Sequence, residues 1–469
     1  MQQKIYDKTT LDIVSFINQF LGDDHVLLEF TKCFRLSAEL AEMLGRIWNK
    51  KIMGVNKNCI VEDMSINSVV KFLSKQEPSD ILCLGQRNGD LSKTLNTLEE
   101  KYPDKFNKNT VYASISERDS RGKTAPRDNS AIFTTYDSSK GLERSVCVVF
   151  DFTESYWSIR VNNPQVSYEI MRNIFCVAAS RGKSHIIFVS KDEDKLSETT
   201  LSSYTESNMK FKRFDISDMF DFKYKEDVED CFRELTIKHV DLDDNSVISI
   251  ADTDGLIDLS PCIGTYQEAV FFDNYDIDVA IKMQLLLMDH LEWYSNKIKR
   301  SSLDEKILYL TSLETNQNRY RNQVKAPFVD DDQRNQIIAR LKTVFSEDET
   351  AQKECCLHFS EKRKGVELFQ IIGFADVVKN KTVYELKFVS ELMHEHYLQC
   401  ACYMVALGLK KGILWNTKNN QMYEIKIKNK KAFMDKVINA ITKGAYKKYY
   451  DAGVSKNSLI DRISELRSM

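Results

Sequence analysis

Apolar residues gather along this chain in short blocks, and the spacing inside the blocks changes part-way. From residue 81 to 190 they come as runs of aliphatic and β-branched residues: ILCLG (81–85), TVYASIS (110–116), AIFTT (131–135), SVCVVFDF (145–152) and HIIFVS (185–190). Nearly continuous apolar runs of this length predict strands buried on both faces. Between them stand segments with helical spacing, among them DLSKTLNTLEEKY and QVSYEIMRNIFCVAAS. Strand and helix in alternation predict a mainly parallel α/β sheet that ends near residue 195. Ahead of it, residues 1 to 50 read as mostly helical around one strand, HVLLEF.

From 196 to 245 the pattern turns polar and acidic, with KDEDKLSETTLSSYTESN and DISDMFDFKYKEDVED, and predicts a connector with some helix. Apolar positions resume at SVISIADTDGLIDLSP, and a helix-rich stretch covers about 266 to 345. A hairpin follows in GFADVVKNKTVYELK (373–387), then the helix SELMHEHYLQCACYMVALGL and the strands KGILWNT and MYEIKIK. The predicted organisation is therefore an α/β parallel-sheet domain (1–195), a connector (196–245), an α/β domain with a helical insertion (246–430) and a lysine-rich helical tail (431–469). No internal repeat or low-complexity tract interrupts it.

Composition changes this picture little. At 469 residues the chain is too long for one core and predicts two to four domains. With 42% hydrophobic and 29% charged residues, 6 Pro and 16 Gly, it is neither collagen-like nor linker-dominated. The net charge of -3 means that any nucleic-acid contact must come from local basic patches. Lys362, Arg363, Lys364, Lys410, Lys411 and the AYKKYY tail offer such groups, and each also reads as an ordinary solvated face. No apolar run is long enough to span a bilayer, and MQQKIYDKTT lacks a signal-peptide core. The 11 Cys contain no CxxC pair and no zinc-finger spacing, which predicts reduced thiols in a cytoplasmic protein.

The hairpin holds the first candidate chemistry. Glu385 and Lys387 share one face of a strand, with Leu386 opposite, and pairing of the two strands brings Asp376 beside them. Two carboxylates and an ammonium at one spot are costly to desolvate unless something bridges them, and a divalent cation does so. Gln399 and Tyr403 follow at i, i+4 on the next helix, hence on one face. A strand with Asp, a strand with Glu-x-Lys and a helix with Gln-x-x-x-Tyr resembles the PD-(D/E)XK nuclease superfamily in its RecB-like branch, over roughly residues 250 to 430. A surface salt-bridged hairpin is the plainer alternative for D-x8-E-x-K alone.

That resemblance implies phosphodiester hydrolysis with Mg²⁺ or Mn²⁺. Such a cation takes oxygen ligands, stabilises charge on the phosphate and acidifies an attacking water. Asp376, Glu385 and the backbone carbonyl of Leu386 are the implied ligands. Lys387 is implied to position the water or stabilise charge, with Gln399 and Tyr403 orienting it or contacting the DNA backbone. A further ligand is implied on an earlier helix: Glu268 in IGTYQEAVF, with Glu361 and Glu367 as competitors. His394 and His396 lie i, i+2 on a helix, face different ways and read as polar surface. No Cys follows Cys402, so no iron–sulfur cluster is expected.

The N-terminal half carries a second pattern. TTYDSSKGLERSVCVVFDF (134–152) and NIFCVAASRGKSHIIFV (173–189) resemble motifs V and VI of UvrD/Rep-like superfamily 1 helicases. Ser180 and Gly182 stand where Thr and Ala are usual, and Asp137 where His is common. LLEFTKCFRLSAEL resembles the motif that carries N-Y-R-S, with Arg35 as its arginine. MQQKIYDKTT resembles the end of G-D-x-x-Q-x-I-Y, with Gln3 and Tyr6 in place. The resemblance covers residues 1 to about 195 and implies the second of two RecA-like domains. Arg35 and Arg181 are then implied to reach the ATP γ-phosphate, with Gly141 and Glu143 near the nucleotide and Tyr6, Thr135 and Ser139 near DNA.

A motor also needs a P-loop. The one G-K-T, at Gly122, Lys123 and Thr124, has Glu117 where the first glycine belongs and Pro126 where a helix should begin. It is a decoy, and the P-loop is expected from a first RecA-like domain or a partner subunit. Together the two resemblances imply the C-terminal half of a superfamily 1 DNA helicase fused to a metal-dependent nuclease, serving end processing, repair or defence. The alternative is a catalytically degenerate DNA-binding or scaffold subunit, against which the complete Asp/Glu/Lys set weighs. An RNA-directed motor shares the same motifs.

Overall fold

The computed structural model describes residues 32–48, 51–86, 89–115, 126–139, 141–150, 173–189, 214–216, 219–220, 225–251, 255–360, 367–442, 444 and 446–451. Gln3, Tyr6, the Gly122–Thr124 decoy, Glu361 and the 362–364 basic run lie outside them, as do the side chains of Asp137 and Glu367. The chain divides into two compact units, one drawn from residues 1–210 and the other mainly from 211–469.

The first unit opens with a short parallel pair, β1 (Lys32–Cys33) and β2 (Met53–Gly54), joined through helix α1 (Ala38–Trp48). Its main sheet has six strands: β3 (Ile60–Asp63), β4 (Ile81–Gly85), β5 (Val111–Ser114), β6 (Ala131–Thr135), β7 (Arg144–Val149) and β8 (Gly182–Phe188). The order is β3-β8-β7-β4-β6-β5 and every pairing is parallel. Helices α2 (Ile66–Leu73), α3 (Asp90–Lys101) and α4 (173–179) connect and cover it. Alternate residues of β4 serve opposite cores. Leu82 and Leu84 pack with α1 and α4, whereas Ile81 and Cys83 pack with α2 and α3. This is the doubly covered α/β sheet that continuous apolar strands require.

The second unit is built on a seven-stranded mixed sheet. Its strands are β9 (Phe214–Asp215), β10 (Leu235–Val240), β11 (Ala351–Ser360), β12 (Glu367–Lys379), β13 (Thr382–Lys387), β14 (Lys411–Asn416) and β15 (Gln421–Ile427). The order is β10-β15-β14-β13-β12-β11, with β9 beside β12. The β12–β13 hairpin turns on Asn380 and Lys381, at φ 48° and 59°. Two left-handed residues suit a tight hairpin because their twist matches that of the strands. Lys379 pairs with Thr382, so the turn proper is Asn380 and Lys381.

Helices cover both faces. α5 (Lys225–Phe232), α12 (His394–Ala406) and α13 (Lys430–Ile441) bury one core with Ala375, Val383 and Leu414. The other core is the helical insertion between β10 and β11. It comprises α6 (Ser260–Phe271), α7 (Ile277–Leu287), α8 (Asn296–Lys299), α9 (Leu303–Glu314), α10 (Arg319–Gln323) and α11 (Asp331–Lys342). Capping boxes at Ser302/Glu305 and Asp330/Gln333 start α9 and α11 by satisfying their first free N–H groups.

Two segments differ from expectation. Residues 214–240, expected in the connector, supply β9, α5 and β10 to the second unit's sheet and core. The start of the expected lysine-rich tail is α13, whose Phe433, Met434, Val437 and Ile438 are fully buried. All eleven cysteines are free thiols. Among the described residues no helix is long and apolar enough to cross a membrane.

Candidate active site

β12 and β13 pair only from Val377↔Tyr384 to the turn. Beyond that rung the ladder opens, and Asp376 and Glu385 occupy the next position on each strand. Asp376 Oδ2 accepts a 2.6 Å hydrogen bond from the Leu386 N–H, so its carboxylate reaches into the opening between the strands. The N–H and C=O of one strand residue lie on the same edge, so the Leu386 carbonyl lies on that edge as well. Lys387 Nζ donates to Glu385 Oε1 at 2.7 Å. Glu385 Oε2 is buried without a hydrogen-bond partner.

A third carboxylate enters from the helical insertion. Glu268 on α6 is 6% exposed and accepts a 2.5 Å hydrogen bond from Gln352 Nε2, which stands 3.5 Å from Asp376 Oδ1. Burial raises all three carboxyls. Glu385 goes up to about 8, with the Asp376 charge adding to the rise and Lys387 opposing it. Glu268 is pushed well above the usual carboxylate range by burial and then by the Asp376 charge. Asp376 rises too, held back by Lys387 and by the Leu386 N–H. Among the described residues no three His, Cys, Asp or Glu side chains stand in ready ligand array. The amine engages Glu385 Oε1, and amide N–H groups engage Asp376 Oδ2 and Glu268 Oε2.

Gln399 and Tyr403 lie on the buried face of α12, where Gln399 Nε2 donates to the Tyr403 hydroxyl at 3.2 Å. Burial, and then the Glu385 charge, raises the phenol far above its ordinary value. Gly373 makes room for it. A Cβ there would stand 2.9 Å from Tyr403 Cε1 and 3.1 Å from Ile216 Cβ.

Of the two histidines, His394 is exposed, as a polar-surface residue is, and His396 is half-buried. His394 stacks on Phe232 with ring centroids 3.8 Å apart. His396 accepts the Met393 N–H at 2.9 Å, and burial followed by the Lys387 charge lowers it to about 3. It is a neutral neighbour of the amine. Gln352 was not foreseen, since nothing in AQKECCLHFS separates it from other polar residues of a strand.

In the first unit, four residues from distant positions form a basic cluster. Glu143 Oε2 pairs with Arg35 Nη2 at 2.6 Å, and its Oε1 pairs with Lys183 Nζ at 2.8 Å. These cations and Arg181 hold the Glu143 carboxyl below its usual range, the Lys183 hydrogen bond most of all. Arg181 is 7% exposed and donates through Nε to the Val177 carbonyl at 2.8 Å, which fixes it to the end of α4. Asn56 ties the segments together by donating to the carbonyls of Arg35 and Lys183 at 2.8 and 2.7 Å. Gly141, at φ 90°, makes the turn that leads to Glu143. Ser139 Oγ is buried on the Tyr136 carbonyl at 2.6 Å, and Thr135 Oγ1 lies 3.4 Å from Ser138 Oγ.

Comparison with known proteins bears on the second unit. Residues 351–428 match the PD-(D/E)XK nuclease superfamily, a span that takes in Asp376, Glu385, Lys387, Gln399 and Tyr403. No curated protein matches the chain. Among solved structures, the C-terminal domain of a possible DNA helicase from Lactobacillus plantarum WCFS1 is similar at 14% identity, with 38% of this chain and 96% of that one covered. Its TM-score is 0.23, too low for the likeness to bear on the fold. The chain therefore carries, between β11 and the end of β15, a domain of the PD-(D/E)XK nuclease kind.

Proposed function

We propose that this chain is a metal-dependent nuclease that hydrolyses DNA phosphodiesters, joined to the C-terminal half of a helicase motor. The convergence of Glu268, Asp376, Glu385 and Lys387 at the opened end of one hairpin carries this reading.

The residues fit a hard divalent cation. The Asp376 charge raises both Glu268 and Glu385, and one buried oxygen of Glu385 has no hydrogen-bond donor. An all-oxygen set of this kind suits Mg²⁺ or Mn²⁺. Asp376, Glu385, Glu268 and the Leu386 carbonyl would hold the ion. When bound, it supplies charge stabilisation at the phosphate and acidifies a water. Lys387 offers a charged donor beside the carboxylates, placed to hydrogen-bond a phosphate oxygen or the attacking water. Gln399 and Tyr403 fix the helix face packed against the hairpin, and His396 keeps a neutral ring near the amine.

In the first unit, three cations around one carboxylate favour an anionic ligand. We assign Arg35 and Arg181 to the ATP γ-phosphate and Gly141 and Glu143 to the nucleotide's surroundings; the expected DNA contacts of Thr135 and Ser139 are withdrawn, because both side chains are buried. ATP hydrolysis then requires a P-loop from a first RecA-like domain or partner.

The test is cleavage of linear and single-stranded DNA with Mg²⁺ or Mn²⁺, by the parent and by Lys387→Ala. Cleavage by the parent that is lost in the variant supports the enzyme. No cleavage by the parent supports a DNA-binding scaffold instead.

A further inference from the structure

Gln352 has no part in the reading above, yet the backbone is distorted to place it. Its φ is 53°, a left-handed value uncommon outside glycine. Ala351 pairs with Val377 and Lys353 with Ala375, so Gln352 faces Asp376 across the ladder. Both strands lose their alternation at this rung. Residues two or four apart on a regular strand share a face. Here Val377 packs in one core and Ala375 in the other, and Ala351 and Cys355 are split in the same way. The paired break brings the Gln352 carboxamide between Asp376 and Glu268.

A carboxamide is nearly symmetric in shape, and a half-turn about its last bond exchanges nitrogen for oxygen. Neighbouring oxygen ligands on octahedral Mg²⁺ stand about 3.0 Å apart, given metal–oxygen distances of about 2.1 Å. The Gln352 terminal atom stands 2.5 Å from Glu268 Oε2 and 3.5 Å from Asp376 Oδ1, which brackets that spacing.

We propose that Gln352 is a ligand of the cation. Its amide nitrogen holds the two carboxylates together in the metal-free protein, and its Oε1 turns onto the ion when one binds. This rests on the nuclease reading and adds a residue to it from β11.

The experiment is Mn²⁺ titration of the full chain, followed by electron paramagnetic resonance without nucleic acid. Gln352→Asn keeps a residue that tolerates a left-handed backbone but shortens its reach. It should bind Mn²⁺ about tenfold or more weakly while still unfolding in one cooperative thermal transition, and Gln352→Ala should do the same. Gln352→Glu, which offers an oxygen in the same place, should bind at least as tightly as the parent. Binding by the Asn and Ala variants equal to or tighter than that of the parent overturns the proposal. If Asp376→Asn loses Mn²⁺ in that case, the nuclease reading survives alone. A parent that binds no Mn²⁺ sinks both.

Discussion

In the second unit three carboxylates crowd one amine, and in the first three cations crowd one carboxylate. The two clusters differ in depth as well as sign. Glu385 and Glu268 are buried, 1% and 6% exposed, so their repulsion is little screened. Arg35 and Glu143 have side chains 38% and 36% exposed, where solvent weakens the pair. A buried cluster of like charges has to be neutralised by protons, by Lys387 or by a cation. A basic cluster in which Arg35, Lys183 and Glu143 reach solvent and Arg181 alone is buried tolerates its surplus charge and stays open to an anion. The carboxylate site is also drawn from one unit, whereas the motor reading of the basic cluster requires a P-loop from elsewhere.

The comparison breaks most visibly on catalysis. Asp376→Asn and Lys387→Ala should each reduce Mg²⁺-dependent DNA cleavage by about 10²–10³-fold or more, measured as initial rates. Arg181→Ala should leave that rate unchanged. If Arg181→Ala silenced cleavage, the two clusters would not be separable. A smaller effect tests the packing that supports the site. Gly373→Ala drives a methyl group into Tyr403 and should cost about 1–3 kcal/mol of stability, read by denaturant unfolding.

Proton linkage sharpens the contrast in burial. Burial and the Asp376 charge push the folded Glu385 carboxyl up to about 8, from the ordinary 4.5. Between those values the folded metal-free protein holds a proton that the unfolded chain has released. The contribution of this carboxyl to stability should therefore be fully present below about pH 4.5 and be lost as pH rises toward 8. Added Mn²⁺ should restore it at the upper end, since the cation needs the ionised carboxylates. Thermal melts across this window, with and without Mn²⁺, check the sign. The smallest effect belongs to the basic cluster. Arg35→Ala removes a half-exposed pair and should cost no more than about 1 kcal/mol.

The candidate nuclease site was legible because its chemistry is local in sequence. Asp376, Glu385 and Lys387 lie on one hairpin, and Gln399 and Tyr403 on the next helix, so strand and helix periods alone put them on shared faces. Glu268 was reachable only through a family resemblance, because 108 positions, most of the helical insertion and strand β11 among them, separate it from Asp376. Gln352 was hidden for a different reason. Its place depends on a left-handed backbone and a paired loss of alternation, neither of which a polar residue in a strand announces. Residues 214–240 read as a connector because β10 buries only Leu235 fully and α5 is rich in acidic residues. An edge strand and a short surface helix carry too few apolar residues to stand out from a loop. α13 was masked by Lys430, Lys431 and Lys436, which surround a fully buried apolar stripe.

Diffraction from crystals grown with Mn²⁺, read at the manganese absorption edge, tests the central claim most directly. The account predicts one or two anomalous peaks within bonding distance of Asp376 and Glu385, at the opened end of the β12–β13 hairpin. Clear anomalous signal elsewhere with none at that hairpin, under conditions in which the protein cleaves DNA, would contradict it.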